Sequence, residues 1–194
     1  MSHYSAQIIN QESGDFMKIN NKNSYFELIL ASVLRNKLRD TAKYIELDTF
    51  QKIVLDNLDF MSEKMKMIFI RDIKERNASP LYGLLDNEDK WLSFANKIEK
   101  ALQQSFEDNQ FDGIIDIHIT NNELELLMLE AIKYGLGRKT YITSVIPSFI
   151  IANVDVITNE SKEKMISKLE NAEDYGYECD KRSWMELLDC LKLS

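Results

Sequence analysis

Apolar residues recur at spacings of three and four along most of the chain, which is the period of an amphipathic helix. The first such stretch begins at Ser24, and its apolar face consists of Phe26, Ile29, Leu30, Val33, Leu34 and Leu38. The same spacing predicts helices over residues 47–61, 62–76 and 88–106, with Ser62 as the N-cap of the second. The first part of the chain is therefore predicted to contain four helices.

The pattern changes at residues 114–119, where the run IIDIHI alternates between two faces and predicts a strand. Thr120 or Asn121 then caps a fifth helix, and three more helices are expected over 141–154, 159–175 and 182–193. These spans make the protein mainly α-helical, with one short β segment.

The first 23 residues are polar and aperiodic, and a mobile N-terminal tail is the main expectation for residues 1–23. The alternative is that residues 7–10 or 17–19 add a short edge strand to the fold.

The two sets of four predicted helices resemble each other in the order of their residues. FELILASVLRNKL lies beside LELLMLEAIKYGL, Tyr44 lies beside Tyr141, and Trp91 and Trp184 each open the last helix of a set. We therefore predict a first helical repeat at 24–106 and a second at 123–194, related by a pseudo-two-fold axis and each packed around its tryptophan. An acidic connector at 107–122 would join them. The alternative is that any two stretches of four amphipathic helices can be aligned this well.

The composition of the 194 residues, 44% hydrophobic and 29% charged, is that of a soluble globular protein. The two cysteines, Cys179 and Cys190, form no C-x-x-C pair and are expected to be free thiols in a reducing compartment. No stretch approaches the roughly 18 apolar residues of a membrane span. The sequence therefore predicts a cytoplasmic protein.

Few residues of the chain carry the chemistry of an active site. There are only two histidines, His3 and His118, and no phosphate-binding loop or nucleophile elbow occurs. Asp116 and His118 share a strand face and could form a base and its orienting partner, although such a pair is more often a solvated strand face. The sequence predicts a protein with no catalytic activity, no cofactor and no metal.

The negative charge is concentrated in one part of the chain, which has a formal net charge of -8. Residues 101–132 contain seven carboxylates and no lysine or arginine. The candidates in it for binding a partner protein with a basic surface are Glu107, Asp108, Asp112 and Asp116. Exposed methionines such as Met61, Met65 and Met67 would add to that contact. A solvated linker is the alternative, and core packing explains the methionines equally well.

Positive and aromatic residues gather where the first helix of each predicted repeat ends. The candidates for binding nucleic acid or phosphate at these two places are Arg35, Arg39, Lys43, Lys133, Arg138, Lys139 and Tyr141. Cations at a helix C-terminus also complement the helix dipole, and this role alone would explain them.

The segment EAIKYGLGRKTYITSVI, residues 130–146, resembles a helix-end pattern, Leu-Gly-Arg-x-Thr-Tyr, of small uncharacterised phage and prophage proteins. The first repeat has RNKLRDTAKY at the corresponding place and lacks both glycines. The resemblance brings no catalytic residue with it. It implies a host-takeover or anti-defence factor that works by binding, as a plug or as a mimic of nucleic acid.

Two hypotheses follow from these observations. The first is a non-enzymatic acidic interaction protein of a phage or mobile element that inhibits or modulates a host or defence protein, by nucleic-acid mimicry, in the manner of an anti-CRISPR protein, or by another anti-defence action. The alternative is a small regulator that binds nucleic acid or a nucleotide through the basic and aromatic helix ends.

Overall fold

The computed structural model describes residues 16–21, 24–39, 44–78, 87–104, 113–138 and 142–194. These residues form eight α-helices and one antiparallel sheet of two strands. The mainly helical fold class that the periodicity predicts is therefore confirmed.

The elements follow one another in this order: β1 (Phe16–Asn20), α1 (Tyr25–Lys37), α2 (Leu47–Asp56), α3 (Glu63–Ala78), α4 (Glu88–Gln104), β2 (Ile114–His118), α5 (Asn121–Gly135), α6 (Ile142–Ala152), α7 (Asn159–Glu170) and α8 (Glu178–Leu193). Short 3₁₀ turns at Leu58–Phe60 and Val154–Val156 follow α2 and α6. The same order, two helices, a 3₁₀ turn and two helices, thus comes after each strand.

Strand β1 lies inside the stretch that was expected to be a tail. It pairs antiparallel with β2, and Ile19 lies opposite Ile115. Ile19, Ile115 and Ile117 are buried, so one face of the sheet belongs to the core. The alternative of an edge strand at residues 17–19 therefore agrees with the structure, in which the strand covers residues 16–20. Residues 1–15, and with them the alternative strand at 7–10, lie outside the described residues.

Two helices predicted as continuous are each interrupted at an asparagine. At Asn57, which follows α2, φ is -118° and ψ is 19°, and at Asn153, which follows α6, they are -125° and 19°. Each asparagine leaves the α-helical conformation, and the chain continues as a 3₁₀ turn. The helix ends predicted at 61 and 154 are therefore wrong by up to five residues.

The side-chain amides of these asparagines connect the helices to the sheet. Asn57 Nδ2 donates to His118 O at 2.8 Å, and the His118 N–H donates to Asn57 Oδ1 at 2.7 Å. Asn153 Nδ2 donates to Asn20 O at 3.0 Å, and the Asn20 N–H donates to Asn153 Oδ1 at 2.7 Å. Each side-chain amide thus pairs with a strand edge as a neighbouring strand would. It satisfies a strand N–H and a strand C=O group that would otherwise need hydrogen bonds from water.

Two helix boundaries near the C-terminus also differ from the prediction. Helix α7 ends at Glu170 rather than at residue 175. Helix α8 begins at Glu178 rather than at residue 182, because the Asp180 side chain accepts from the Tyr177 N–H at 3.3 Å and caps the helix. The residues just before Trp184 are mostly polar, so the apolar pattern did not predict this first turn.

The core is centred on α1 and α5, which pack against each other and bury most of their side chains. Trp91 is 2% exposed and Trp184 is 0% exposed, so the predicted burial of both tryptophans is confirmed. Gly135 allows α5 to approach α6 and α8 closely. A Cβ at this position would lie 2.8 Å from Ile146 Cδ1 and 2.8 Å from Trp184 Cζ2, closer than packed carbon atoms approach.

Two glutamates, one on α1 and one on α5, accept hydrogen bonds at the starts of α3 and α7. Glu27 of α1 accepts from the Ser62 N–H at 2.9 Å, at the start of α3. Glu125 of α5 accepts from the Thr158 N–H and from Ser161 Oγ, both at 2.6 Å, at the start of α7. The negative charges complement the positive ends of the α3 and α7 helix dipoles.

Replacement of either Asn57 or Asn153 by alanine should lower the free energy of unfolding by about 1 to 3 kcal/mol, because each change leaves strand N–H and C=O groups without their amide partner. Asn171→Ala is the matched control: this exposed amide donates to Ser167 O at 2.7 Å within its own helix end and contacts no strand. That control should cost less than about 0.5 kcal/mol. Urea denaturation followed by circular dichroism measures all three, and equal losses would refute the role of the two amides.

Candidate functional site

The C-terminal ends of α1 and α5 lie side by side, held by a buried carboxylate. Glu130 of α5 is 0% exposed, and its Oε1 accepts from Asn36 Nδ2 of α1. Its Oε2 accepts from the Tyr44 N–H at 2.8 Å, which ties the chain that follows α1 to the same place. The cations near both helix ends are thereby brought to one region of the surface.

Three arginines from the two helix ends form what we call the arginine cluster: Arg35, Arg39 and Arg138. The Arg39 N–H donates to Asn36 O, and the Arg138 N–H donates to Gly135 O, both at 3.2 Å, so the two residues occupy similar turns. Burial lowers the pKa of the Arg138 guanidinium, and the positive charges of Arg39 and Arg35 lower it further. Arginine nevertheless stays protonated in proteins, so like charges face one another here.

Helix α3 adds charges of both signs beside the cluster. Asp72 Oδ2 lies 3.4 Å from Arg35 Nε, and Asp72 Oδ1 lies 2.6 Å from an Arg71 terminal nitrogen. Arg76 Nε donates to Leu38 O at 2.8 Å, just beyond the end of α1. Asp72 therefore offsets part of the positive charge. Sequence reasoning missed Asp72 and Arg76, because nothing in the local pattern of α3 indicates that it borders α1 at this point.

The aromatic residues near the cluster are already covered by cations. Arg138 Cζ lies 4.3 Å from the centroid of the Tyr134 ring, which is 3% exposed. Lys168 Nζ lies 4.6 Å from the centroid of the half-buried Tyr44 ring. These contacts fix the cations in place by cation–π attraction. They also leave neither ring as an open platform for stacking.

Of the seven predicted basic and aromatic candidates, Lys43, Lys139 and Tyr141 lie outside the described residues. Lys133 lines a groove between the ends of α5 and α7, together with Lys168. The structure thus brings together the described candidates, namely Arg35, Arg39, Lys133 and Arg138, around the two adjoining helix ends.

The acidic candidates present a different picture. Glu107, Asp108 and Asp112 lie outside the described residues, and Asp116 is exposed on β2 opposite Lys18 of β1. Further along the acidic block, Glu125 and Glu130 are buried. They serve the fold through the hydrogen bonds given above. The described part of the acidic block is therefore not a continuous acidic surface.

The methionines proposed as partner contacts divide between core and surface. Met61 and Met65 are buried, whereas Met67 is 53% exposed. The expectation of an exposed methionine surface is therefore wrong for Met61 and Met65, because their side chains pack in the hydrophobic core.

Two negative observations apply to the described part of the chain. No group of three or more histidine, cysteine, aspartate or glutamate side chains there could hold a metal ion. No helix there is long and apolar enough to cross a membrane. Asp116 and His118 lie on β2, and the His118 backbone is held by Asn57, as described above.

Comparison with known proteins yields no relative: no protein-family model, no curated protein and no solved structure matches this chain.

Gly176 allows the segment before α8 to approach Arg138. Its φ is 86°, and a Cβ at this position would lie 2.5 Å from Arg138 O. Gly113, with φ of 102° and no atom within 4 Å of such a Cβ, provides a control.

Gly113→Ala should therefore cost only the strain of a positive φ, about 1 to 2 kcal/mol. Gly176→Ala should cost about 1 to 3 kcal/mol more, because the methyl group overlaps the Arg138 carbonyl. Thermal or urea unfolding of the two variants checks the difference. Equal destabilisation would contradict the close approach that the structure places next to the cluster.

Proposed function

We propose that the protein binds the phosphate groups of a nucleic-acid strand through the arginine cluster. The observation that carries this proposal is that Asn36 and Glu130 join the ends of α1 and α5, which places Arg35, Arg39 and Arg138 in one partly exposed region. A planar guanidinium donates two parallel hydrogen bonds to a phosphate, and arginine is the residue most suited to that contact.

The electrostatic repulsion within the arginine cluster supports a ligand-binding role over a purely structural one. Each cation near a helix C-terminus is stabilised by the helix dipole, but that effect acts within one helix and does not require the charges to meet. Placing the guanidiniums of Arg39 and Arg138 near each other opposes folding by their mutual repulsion. A bound phosphate would attract both guanidiniums and so offset their repulsion. Functional sites can keep an arrangement that destabilises the fold where it serves binding.

The ligand contact proposed here is to the backbone of the nucleic acid and not to its bases. Base recognition in single strands relies on exposed aromatic rings. The described rings at the site, Tyr44 and Tyr134, are covered by Lys168 and Arg138. Binding should therefore depend on salt and depend little on base sequence.

We also propose that the site lies between two copies of one ancestral unit, each consisting of a strand, two helices, a 3₁₀ turn and two helices. The repeated order of elements, the Asn57 and Asn153 contacts and the Glu27 and Glu125 contacts support this. In this arrangement Arg39 and Arg138 lie just beyond the C-terminal ends of corresponding helices, α1 and α5.

The double replacement of Arg39 and Arg138 by glutamine should weaken binding of a single-stranded oligonucleotide by at least about tenfold, because two charge-assisted contacts are lost. The slope of log K against log salt should fall by about 0.7 for each lost phosphate contact. Fluorescence anisotropy with a labelled oligonucleotide, at several salt concentrations, measures both quantities.

The matched control is the double replacement of Lys97 and Lys100 by glutamine. Both lysines are exposed on α4, and the change in net charge is the same. If this control weakens binding as much as the arginine variant, the effect belongs to overall charge and the proposed site is refuted.

A second prediction concerns a gain of affinity. Asp72→Asn removes the carboxylate that pairs with Arg35 and Arg71, so the cluster becomes more positive. Oligonucleotide binding should tighten by about twofold to fivefold at low salt. The same anisotropy titration checks it, and weaker binding by this variant would contradict the proposal.

The first hypothesis from the sequence, in which the acidic segment binds a host or defence protein with a basic surface, stays a prediction. The variants above separate the two hypotheses, because a basic partner protein should tolerate the loss of Arg39 and Arg138.

A further inference from the structure

Helix α7 brings a further cation to the region where α1 and α5 end. Lys168 lies in the last turn of α7, and its Nζ lies 4.6 Å from the centroid of the Tyr44 ring. The Tyr44 N–H in turn donates to Glu130 Oε2, and this carboxylate joins the ends of α1 and α5. One tyrosine therefore connects the ammonium of Lys168 to the junction beside which the arginine cluster lies.

The contact with Tyr44 restricts the Lys168 side chain before any ligand arrives. Both residues are half-buried, and cation–π attraction holds the ammonium over the face of the ring. A lysine on an open surface loses much of its rotamer freedom when it contacts a ligand, and here folding has already removed part of that freedom. Because an ammonium has three N–H donors, contact with one ring face leaves it able to donate to an anion.

Two neighbouring lysines are paired with carboxylates in a way that Lys168 is not. Lys164, one turn earlier in α7, has its Nζ 2.7 Å from Glu160 Oε1, and the Lys192 Nζ of α8 lies 2.7 Å from Glu170 Oε1. An ion pair within a helix forms at a spacing of three or four residues. The residues at this spacing from Lys168 are not acidic; they are Lys164, Met165, Asn171 and Ala172. The helix therefore gives Lys168 no carboxylate partner of its own.

Two acids of the segment after α7, Glu173 and Asp174, line the same groove as Lys168. Within the part of the chain that the structure describes, neither carboxylate forms an ion pair with Lys168, which would require an N···O distance of 4.0 Å or less. Asp174 Oδ1 instead accepts from the Gly176 N–H at 2.8 Å. The two acids lower the affinity of Lys168 for an anion without neutralising it by contact. We therefore expect a single supporting contact here and not a strong site for a free anion.

Lys168 stands apart from the arginine cluster. Burial is the largest cause of the lowered pKa of Arg138, and the cations that lower this pKa further are Arg39 and Arg35. Lys168 is not among these cations, so its ammonium lies apart from the Arg138 guanidinium. A single phosphate group is therefore not expected to contact both places, whereas successive phosphates of one strand can do so.

We propose that Lys168 contacts a second phosphate of the strand that the arginine cluster holds, and that Tyr44 is the residue that positions this lysine. The inference rests on the proposed function and extends it, because the strand would pass from the ends of α1 and α5 to the last turn of α7. The contact is to the phosphate backbone, so it adds affinity and salt dependence and no preference for a base.

The test uses the full chain and the labelled single-stranded oligonucleotide of the anisotropy titration. Lys168→Gln should weaken binding by about threefold or more at low salt, and the slope of log K against log salt should fall by about 0.7, the value for one lost phosphate contact. Lys164→Gln is the matched control, because it removes the same charge from the same helix, where the lysine is paired with Glu160. This control should leave the slope nearly unchanged. Lys168→Arg, which keeps a cation at the position, should retain binding.

A second arm tests the positioning role without any change in charge. Tyr44→Leu removes the ring under Lys168 but keeps the backbone N–H that donates to Glu130. Binding should weaken, because the ammonium is no longer held in place, and Tyr44→Phe should restore it, since phenylalanine keeps the ring face. An effect of charge alone predicts equal binding by both variants. Circular dichroism checks that each variant is folded, and Tyr44→Met replaces Tyr44→Leu if the latter is not.

The contact is refuted if Lys168→Gln lowers the affinity and the salt slope no more than Lys164→Gln does. The positioning role is refuted if the leucine variant of Tyr44, or its methionine replacement, binds as tightly as the phenylalanine variant. Failure of the proposed function looks different, because in that case the double arginine variant binds the oligonucleotide as tightly as the wild type. A wild type that binds no oligonucleotide would overturn both proposals.

Discussion

Helices α1 and α5 pack together through side chains that are almost wholly buried, and the Glu130 carboxylate joins their C-terminal ends. This carboxylate is 0% exposed, so it needs hydrogen-bond donors from the protein in place of water. Asn36 and the Tyr44 N–H supply them. The position of the chain after α1, the cation contact on Tyr44 and the spacing of the arginine cluster all depend on that junction.

The interior of this acidic protein uses several of its carboxylates as structural acceptors. Glu27 and Glu125 receive the first N–H groups of α3 and α7, and Glu130 holds the central junction. Because these negative charges are used in hydrogen bonds within the fold, the net charge of -8 does not describe the charge of the surface around α1 and α5. A local cationic site can therefore exist on a chain whose overall charge is negative.

The helical fold could be predicted from the sequence because apolar spacing reflects local geometry. The interruptions after α2 and α6 could not be, since Asn57 and Asn153 bond to strand residues 61 and 133 positions away. The burial of Glu125 and Glu130 within the acidic block could not be predicted for a similar reason. Glu125 and Glu130 find their donors at Thr158 and Asn36, and no local pattern indicates such distant partners.

The candidate site was predictable in its parts but not in its assembly. The cations near the ends of two amphipathic helices could be identified from the sequence. That Arg39 and Arg138 approach each other depends on the packing of α1 on α5.

The central claim is that the guanidiniums of Arg39 and Arg138 contact phosphate. Nuclear magnetic resonance of the arginine side-chain Nε–Hε groups, in a titration with a short single-stranded oligonucleotide, tests it most directly. The account predicts that the Arg39 and Arg138 signals shift and saturate together, while the backbone amides of α4 stay unchanged. Binding that leaves both arginine signals in place, or that shifts α4 instead, would contradict it.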